Sequence, residues 1–198
     1  MARTSRFIFM VLAVAVLMSC ATTTIVNSWK APDAQPITFK KVLVAVVGAD
    51  QTVRRVGEDR LVARLALRGV DGYPSYKFVP GNEEKDVEKV KARVKEAGID
   101  GAIVMRIVSA RTEVNYVSGT YPSPYYSFYG YWGYGWGSPG YVATDQVVRI
   151  ESNVYSVAQD KLIWAGASET YNPTEAGQLV DEVATAAAAQ MRKEGLIP

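Results

Sequence analysis

Two short runs of the chain are apolar at almost every position. Lys41–Val47 (KVLVAVV) and Gly101–Val108 (GAIVMRIV) read as strands buried on both faces, because a strand covered on one face alternates instead. Between them the spacing changes. Thr52–Leu67 carries Val53, Val56, Val62, Leu65 and Ala66, which predicts a helix lying on a sheet, with Gly69 as its stop. Tyr73–Val79 predicts a second strand entered through Pro74, and Pro80-Gly81 a turn. Asn82 reads as the cap of the next helix, with Glu83 and Glu84 at the positive end of its dipole. Val87, Val90, Val94 and Ala97 form one apolar stripe on that helix, and Gly98 closes it.

The second half reads as strands and one helix. Arg111–Val117 alternates as a half-exposed strand does. Thr144–Val157 and Lys161–Tyr171 form a hairpin around Ala158-Gln159-Asp160. Asn172-Pro173-Thr174 ends the strand and starts a helix, with Thr174 as its cap. Leu179, Val180, Val183, Ala187 and Met191 share one face of it, and Gly195 ends it. The order β-α-β-α-β-β, a long loop, then β-β-α predicts an α+β fold, a mixed sheet with about three helices packed on it. Residues 41–198 form this single domain, with the loop at 116–142 inserted between neighbouring strands.

The start of the chain follows a different pattern. Arg3 and Arg6 precede Phe7–Met18, an unbroken apolar run of 12 residues. A membrane-spanning helix needs about 20. A basic start and a short apolar run describe a secretory signal peptide, here residues 1–19. Leu17-Met18-Ser19-Cys20 resembles a bacterial lipobox, and Cys20 is the only Cys in the chain. That resemblance implies a diacylglycerol on the Cys20 sulfur, cleavage before it and acylation of the new amine. Several acyl chains give stable anchoring where one gives only marginal binding. Residues 20–40 then read as a lipidated N-terminus and a tether, with Trp29 docked on the domain surface. Ala21 follows the Cys, and in lipoproteins of the enteric type the lack of Asp there implies the outer membrane, on its periplasmic side.

Cleavage changes the charge. The precursor has 22 basic and 20 acidic residues, and the cut removes Arg3 and Arg6. A neutral mature chain argues against nucleic acid as a partner. The partners expected are the membrane, through the anchor, and an envelope protein or a second copy of the chain. An envelope glycan is the alternative.

Tyr116–Val142 holds 27 residues, none charged, with eight Tyr, Phe128, Trp132 and Trp136 among six Gly and three Pro. Such a stretch continues neither a helix nor a central strand. Loops longer than about 12–15 residues are functional or disordered. Four roles fit: a low-complexity insertion, a protein contact surface, a sugar-stacking platform for peptidoglycan or lipopolysaccharide, and insertion at a membrane interface. The binding residues singled out are Tyr125, Tyr126, Tyr129, Tyr131, Trp132, Tyr134 and Trp136.

Catalytic chemistry is sparse. The chain has no His, which removes a His general base, His-ligated zinc and Ser-His-Asp or Cys-His sites. Gly130, Gly133, Gly135 and Gly137 are not followed by Lys-Ser/Thr, so they make no phosphate loop. Asp50, Glu58 and Asp59 read as solvated helix-face charge. Arg106 interrupts a central strand and, if buried, needs an acid partner, Glu113 or Glu151. Ser168-Glu169-Thr170 lacks an activating base. The expectation is a protein that is not an enzyme and needs no cofactor or metal.

Several segments together resemble a family. They are Asn27-Ser28-Trp29-Lys30, KVLVAVV, Arg54-Arg55-Val56-Gly57-Glu58-Asp59, Pro74-Ser75-Tyr76, Gly98-Ile99-Asp100-Gly101, the aromatic loop, Glu151-Ser152-Asn153-Val154-Tyr155, and Lys161-Leu162-Ile163-Trp164 through Ser168-Glu169-Thr170. The chain is similar there to uncharacterised bacterial envelope lipoproteins carrying a domain of unknown function. The element order is also similar to the small α/β domains of the TolB N-terminus, the curli secretion lipoprotein and the penicillin-binding-protein activators. These resemblances imply an adaptor or assembly module and transfer no catalytic residue.

Overall fold

The computed structural model describes residues 22–79, 81, 86–117 and 141–198. Cys20, the signal peptide, and the aromatic segment at 118–140 lie outside the described residues. Six strands form one mixed sheet. They are β1 (Thr22–Lys30), β2 (Lys41–Val47), β3 (Asp71–Pro74), β4 (Gly101–Val117), β5 (Tyr141–Ser156) and β6 (Lys161–Tyr171). The helices are α1 (Gln51–Ala66), α2 (Ser75–Phe78), α3 (Val87–Ala97) and α4 (Ala176–Lys193). The strand order is β1-β6-β5-β4-β2-β3. β2 is parallel to β3 and β4, and the other pairings are antiparallel. The fold class is α+β.

Each element has a local cause. Asp50 caps α1, accepting from Thr52 N at 2.8 Å and Val53 N at 3.1 Å. Gly57 lets α1 approach both β2 and α4, since a Cβ there would sit 3.1 Å from Val46 Cγ2 and 3.3 Å from Val180 Cγ2. Gly98 ends α3 in the left-handed conformation with φ 65°. The core forms where Val42, Val44 and Val46 of β2 meet Met105, Ile150, Leu61 of α1 and Leu179, Val180 and Val183 of α4. A second cluster joins Val154, Ile163, Trp164, Ala187 and Leu196 under the C-terminal half of α4.

Five local expectations change, one of them at the start of α4, where Glu175 and not Thr174 holds the cap position. Thr22–Lys30, read as part of the tether, is strand β1 and pairs along β6 from Thr22↔Tyr171 to Lys30↔Trp164. Side chains also fasten it to α4, with Thr23 Oγ1 donating to Glu182 at 2.9 Å and Ser28 Oγ to Glu194 at 2.7 Å. The runs 101–108 and 111–117 are one strand that continues through a bulge between Ile107 and Ser109. The second strand is only four residues long, and Ser75–Phe78 turns into a helical step. The cap of α3 is Asp86, whose carboxylate accepts from Lys89 N at 3.2 Å. Asn82 lies outside the described residues.

Candidate functional site

The sheet has two unlike ends. Thr22 pairs with Tyr171, Tyr171 with Val147, and Val147 with Arg111. This row marks the end at which the chain enters β1. Beyond it β4 and β5 run on alone as a two-stranded ribbon, from Thr112↔Gln146 to Val117↔Tyr141. Six residue pairs at about 3.4 Å per residue carry the ribbon ~20 Å past the row. The aromatic segment connects Val117 to Tyr141, so both of its ends sit at the ribbon tip. The start of β1 lies at the same end of the sheet, and Thr22 is two residues after Cys20. Two residues span about 7 Å at most.

The ribbon base carries charge on the sheet face opposite the core. Arg111 Nε holds Glu113 Oε1 at 2.8 Å, and its Nη2 holds Glu169 Oε1 at 3.2 Å. Arg149 adds a longer contact to Glu169 at 3.6 Å. The hydrogen bonds to Glu113 and Glu169 hold the Arg111 guanidinium above its ordinary pKa. Val147, registered between Arg111 and Tyr171, is fully buried, as arginine stems readily cover apolar surface. Four pairs further along, Arg106 Nη2 meets Glu151 at 3.1 Å. Glu151 is therefore the partner, as one of the two expected, but the pair is not buried, since the Arg106 side chain is 58% exposed. The bond from Asn153 and then that from Arg106 hold the Glu151 carboxyl below its usual value.

At the carboxyl ends of β2 and β3, where open α/β sheets place ligands, the structure puts Glu58. It corrects the expectation of a solvated charge, because Glu58 is 0% exposed. Its Oε1 accepts from Val46 N at 3.1 Å, Arg54 Nε at 3.0 Å and Ser75 Oγ at 2.7 Å, and its Oε2 from Tyr76 N at 3.0 Å. Both oxygens are occupied by donors of the fold. The carboxylate ties α1 to β2 and α2. Asp50 is used as the α1 cap, and Asp59 stays exposed beside Tyr76 Oη at 2.9 Å and Lys77 at 3.3 Å. Among the described residues no cluster of three acids is arranged to hold a metal ion.

The residues singled out for binding, Tyr125, Tyr126, Tyr129, Tyr131, Trp132, Tyr134 and Trp136, and the lipidation candidate Cys20, lie outside the described residues. Trp29 is 48% exposed on β1. Sequence reasoning missed β1 and the Glu58 clamp. The density of Thr, Ile, Val and Trp in TTTIVNSWK is the signal that favoured a strand. Nothing local in the sequence marks Glu58, because its donors come from three separate segments.

Among the described residues no helix is long and apolar enough to cross a membrane. No known family model matches the chain, and no curated protein matches it. Solved structures similar to it include a PelC dodecamer from Paraburkholderia phytofirmans, at 12% identity and a TM-score of 0.43 over 80% of this chain and 89% of that one. The lipoprotein GNA1162 from Neisseria meningitidis aligns at 14% identity and a TM-score of 0.41, over 77% of this chain and 98% of its own. A minor lipoprotein from Acinetobacter baumannii aligns at 12% and 0.31, over 78% and 96%. Scores this low leave function open, and the functional reading rests on the residues of this chain.

Proposed function

We propose that this chain is a lipid-anchored envelope lipoprotein that acts as a non-catalytic binding or adaptor module, on the periplasmic side of the outer membrane. The observation that carries the reading is the shared end of the sheet. The anchor candidate Cys20 lies two residues before the first residue of β1, and the ribbon that leads to the aromatic segment extends from that same end. An uncharged run rich in Tyr and Trp offers large amphipathic area at low entropic cost, as protein contact surfaces do. The absence of catalysis is supported by the lack of any His and by the full occupation of both Glu58 oxygens.

The test is a crosslinking pull-down from membranes, comparing the intact chain with one lacking residues 118–140. Loss of one specific protein partner, with the body still folded, supports the adaptor. Loss of peptidoglycan or lipopolysaccharide instead moves the assignment to a glycan module. An unchanged partner set refutes both. Metabolic labelling with a radioactive fatty acid checks the anchor, and Cys20→Ser must abolish the label. The same shared end favours a second reading, in which the aromatic ribbon rests at the headgroup level of the anchoring bilayer. Deleting 118–140 then leaves the partner set intact and reduces binding of unacylated Cys20→Ser protein to phospholipid vesicles.

A further inference from the structure

The end of the sheet opposite the ribbon holds a cavity of about 590 Å³ between α1, α4 and the sheet. Packed interiors keep few voids larger than a water molecule. Small-molecule sites, in contrast, run from roughly 300 to 1,000 Å³ and are mostly apolar with a few polar groups. This cavity has that make-up. Leu61, Leu65, Met105, Val154, Ala184 and Met191 give it apolar walls. Among the described residues its charged lining is Arg64, Arg68 and Arg192, with no Asp or Glu.

Two of the three arginines are engaged within the fold. Arg64 holds Asp181 at 2.6 Å and Thr185 Oγ1 at 2.9 Å, and Arg192 Nε donates to Pro198 O at 3.0 Å. Arg68 is exposed and has no partner among the described residues. Ser152 on the wall is only 4% exposed and its Oγ is buried, so it offers nothing to a charged group at the mouth.

We propose that this cavity is a binding site for a single-chain anionic amphiphile, a long-chain carboxylate held by its tail between α1, α4 and the sheet and by its charge at Arg68. The apolar walls select the alkyl chain, and the arginine mouth selects the anion. The inference is independent of the role assigned to the ribbon end.

The test uses the full chain held in amphipol and palmitate labelled with carbon-13 at its carboxyl. A bound carboxyl resonance distinct from free palmitate, saturating at one per chain, is expected. The neutral methyl ester should bind about tenfold more weakly, a difference of about 1.4 kcal/mol. Arg68→Glu should weaken palmitate by at least about tenfold. Ala184→Phe, which adds bulk at a half-buried wall position, should abolish binding while the unfolding temperature is held or raised. A cavity that holds only water gives no bound resonance and overturns the proposal. So does palmitate binding that Arg68→Glu and Ala184→Phe both leave unchanged. If Ala184→Phe fails to fold, Arg68→Glu alone decides, because its side chain is exposed.

Discussion

Glu58 allows a test of whether a buried carboxylate serves this fold as an acceptor or merely as a filler. Four donors converge on it, two of them backbone N–H groups, Val46 N and Tyr76 N. The others are Arg54 Nε and Ser75 Oγ. Glu58→Ala deprives all four. Removing one member of a buried ion pair costs about 3–5 kcal/mol, and each orphaned donor about 1–3 kcal/mol. These costs describe the same event from two sides, so about 3–5 kcal/mol is the expectation. Glu58→Gln keeps the volume and changes one acceptor into a donor. With its oxygen toward the three donors at Oε1, its amide meets Tyr76 N–H; turned over, it meets the other three. About 2 kcal/mol is the expected loss.

The assay is reversible urea unfolding at neutral pH together with thermal melting. For a chain of this size 1 kcal/mol moves the midpoint by about 2–4 °C. Glu58→Gln should therefore lower it by about 4–8 °C, and Glu58→Ala by about 6–20 °C. Asp59→Asn, one residue along on the exposed face, is the control and should stay within about 0.5 kcal/mol. A Glu58→Gln protein as stable as wild type would refute the reasoning, because the pocket would then tolerate a donor.

Three further perturbations separate strong effects from weak ones. Glu194 accepts from Ser28 Oγ, Gln190 Nε2 and Trp164 Nε1 at 2.7–2.8 Å; burial raises its carboxyl, but these bonds and the Lys30 charge outweigh burial and hold it below the usual 4.5. Its contribution to stability is whole above pH 4.5 and drains as pH falls through the lowered value, so Glu194→Gln should unfold with a shallower pH dependence below pH 4.5. A Cβ on Gly166 would overlap the ring of Trp164, which is 0% exposed and held by its Nε1 to Glu194. Gly166→Ala should cost about 1–3 kcal/mol by urea unfolding, whereas Gly101→Ala, which overlaps only half-buried Phe39 at the cavity wall, should cost less. Arg106→Ala breaks a solvent-exposed pair, and its melting midpoint should shift by less than about 2 °C.

The parts of the fold that could be read from sequence are those whose environment is uniform along the element. β2 and the first half of β4 are apolar at nearly every position, which marks them as strands, but only one face is buried, with Val42, Val44, Val46 and Met105 in the core and Val47 and Val108 exposed on the other. α4 shows its buried Leu179, Val180, Val183 and Ala187 at helical spacing. β1 is an edge strand with a bulge between Ile25 and Asn27, and a bulge breaks the period that identifies a strand. Arg106 was legible as half of an ion pair but not as an exposed one, because exposure depends on what covers the far face of β4. Glu58 was illegible for a related reason. A carboxylate four residues from Arg54 looks like a surface pair until Ser75 and Tyr76 arrive from the other side of β3.

The unforeseen edge strand also carries the functional argument. A flexible tether of 20 residues wanders about 25 Å end to end, and a body hung on it could present any face to a bilayer. With β1 locked between Thr22 and Lys30 along β6, that freedom shrinks to the two residues after Cys20, about 7 Å. A lipid on Cys20 would then hold the ribbon end toward the membrane and turn the arginine-rimmed cavity away from it. An insertion of ten Gly/Ser residues between Ala21 and Thr22 restores the lost freedom without touching the fold. If orientation matters, that insertion should weaken crosslinking through the aromatic ribbon as severely as deleting 118–140. Crosslinking unaffected by the insertion would mean that the shared end of the sheet is incidental.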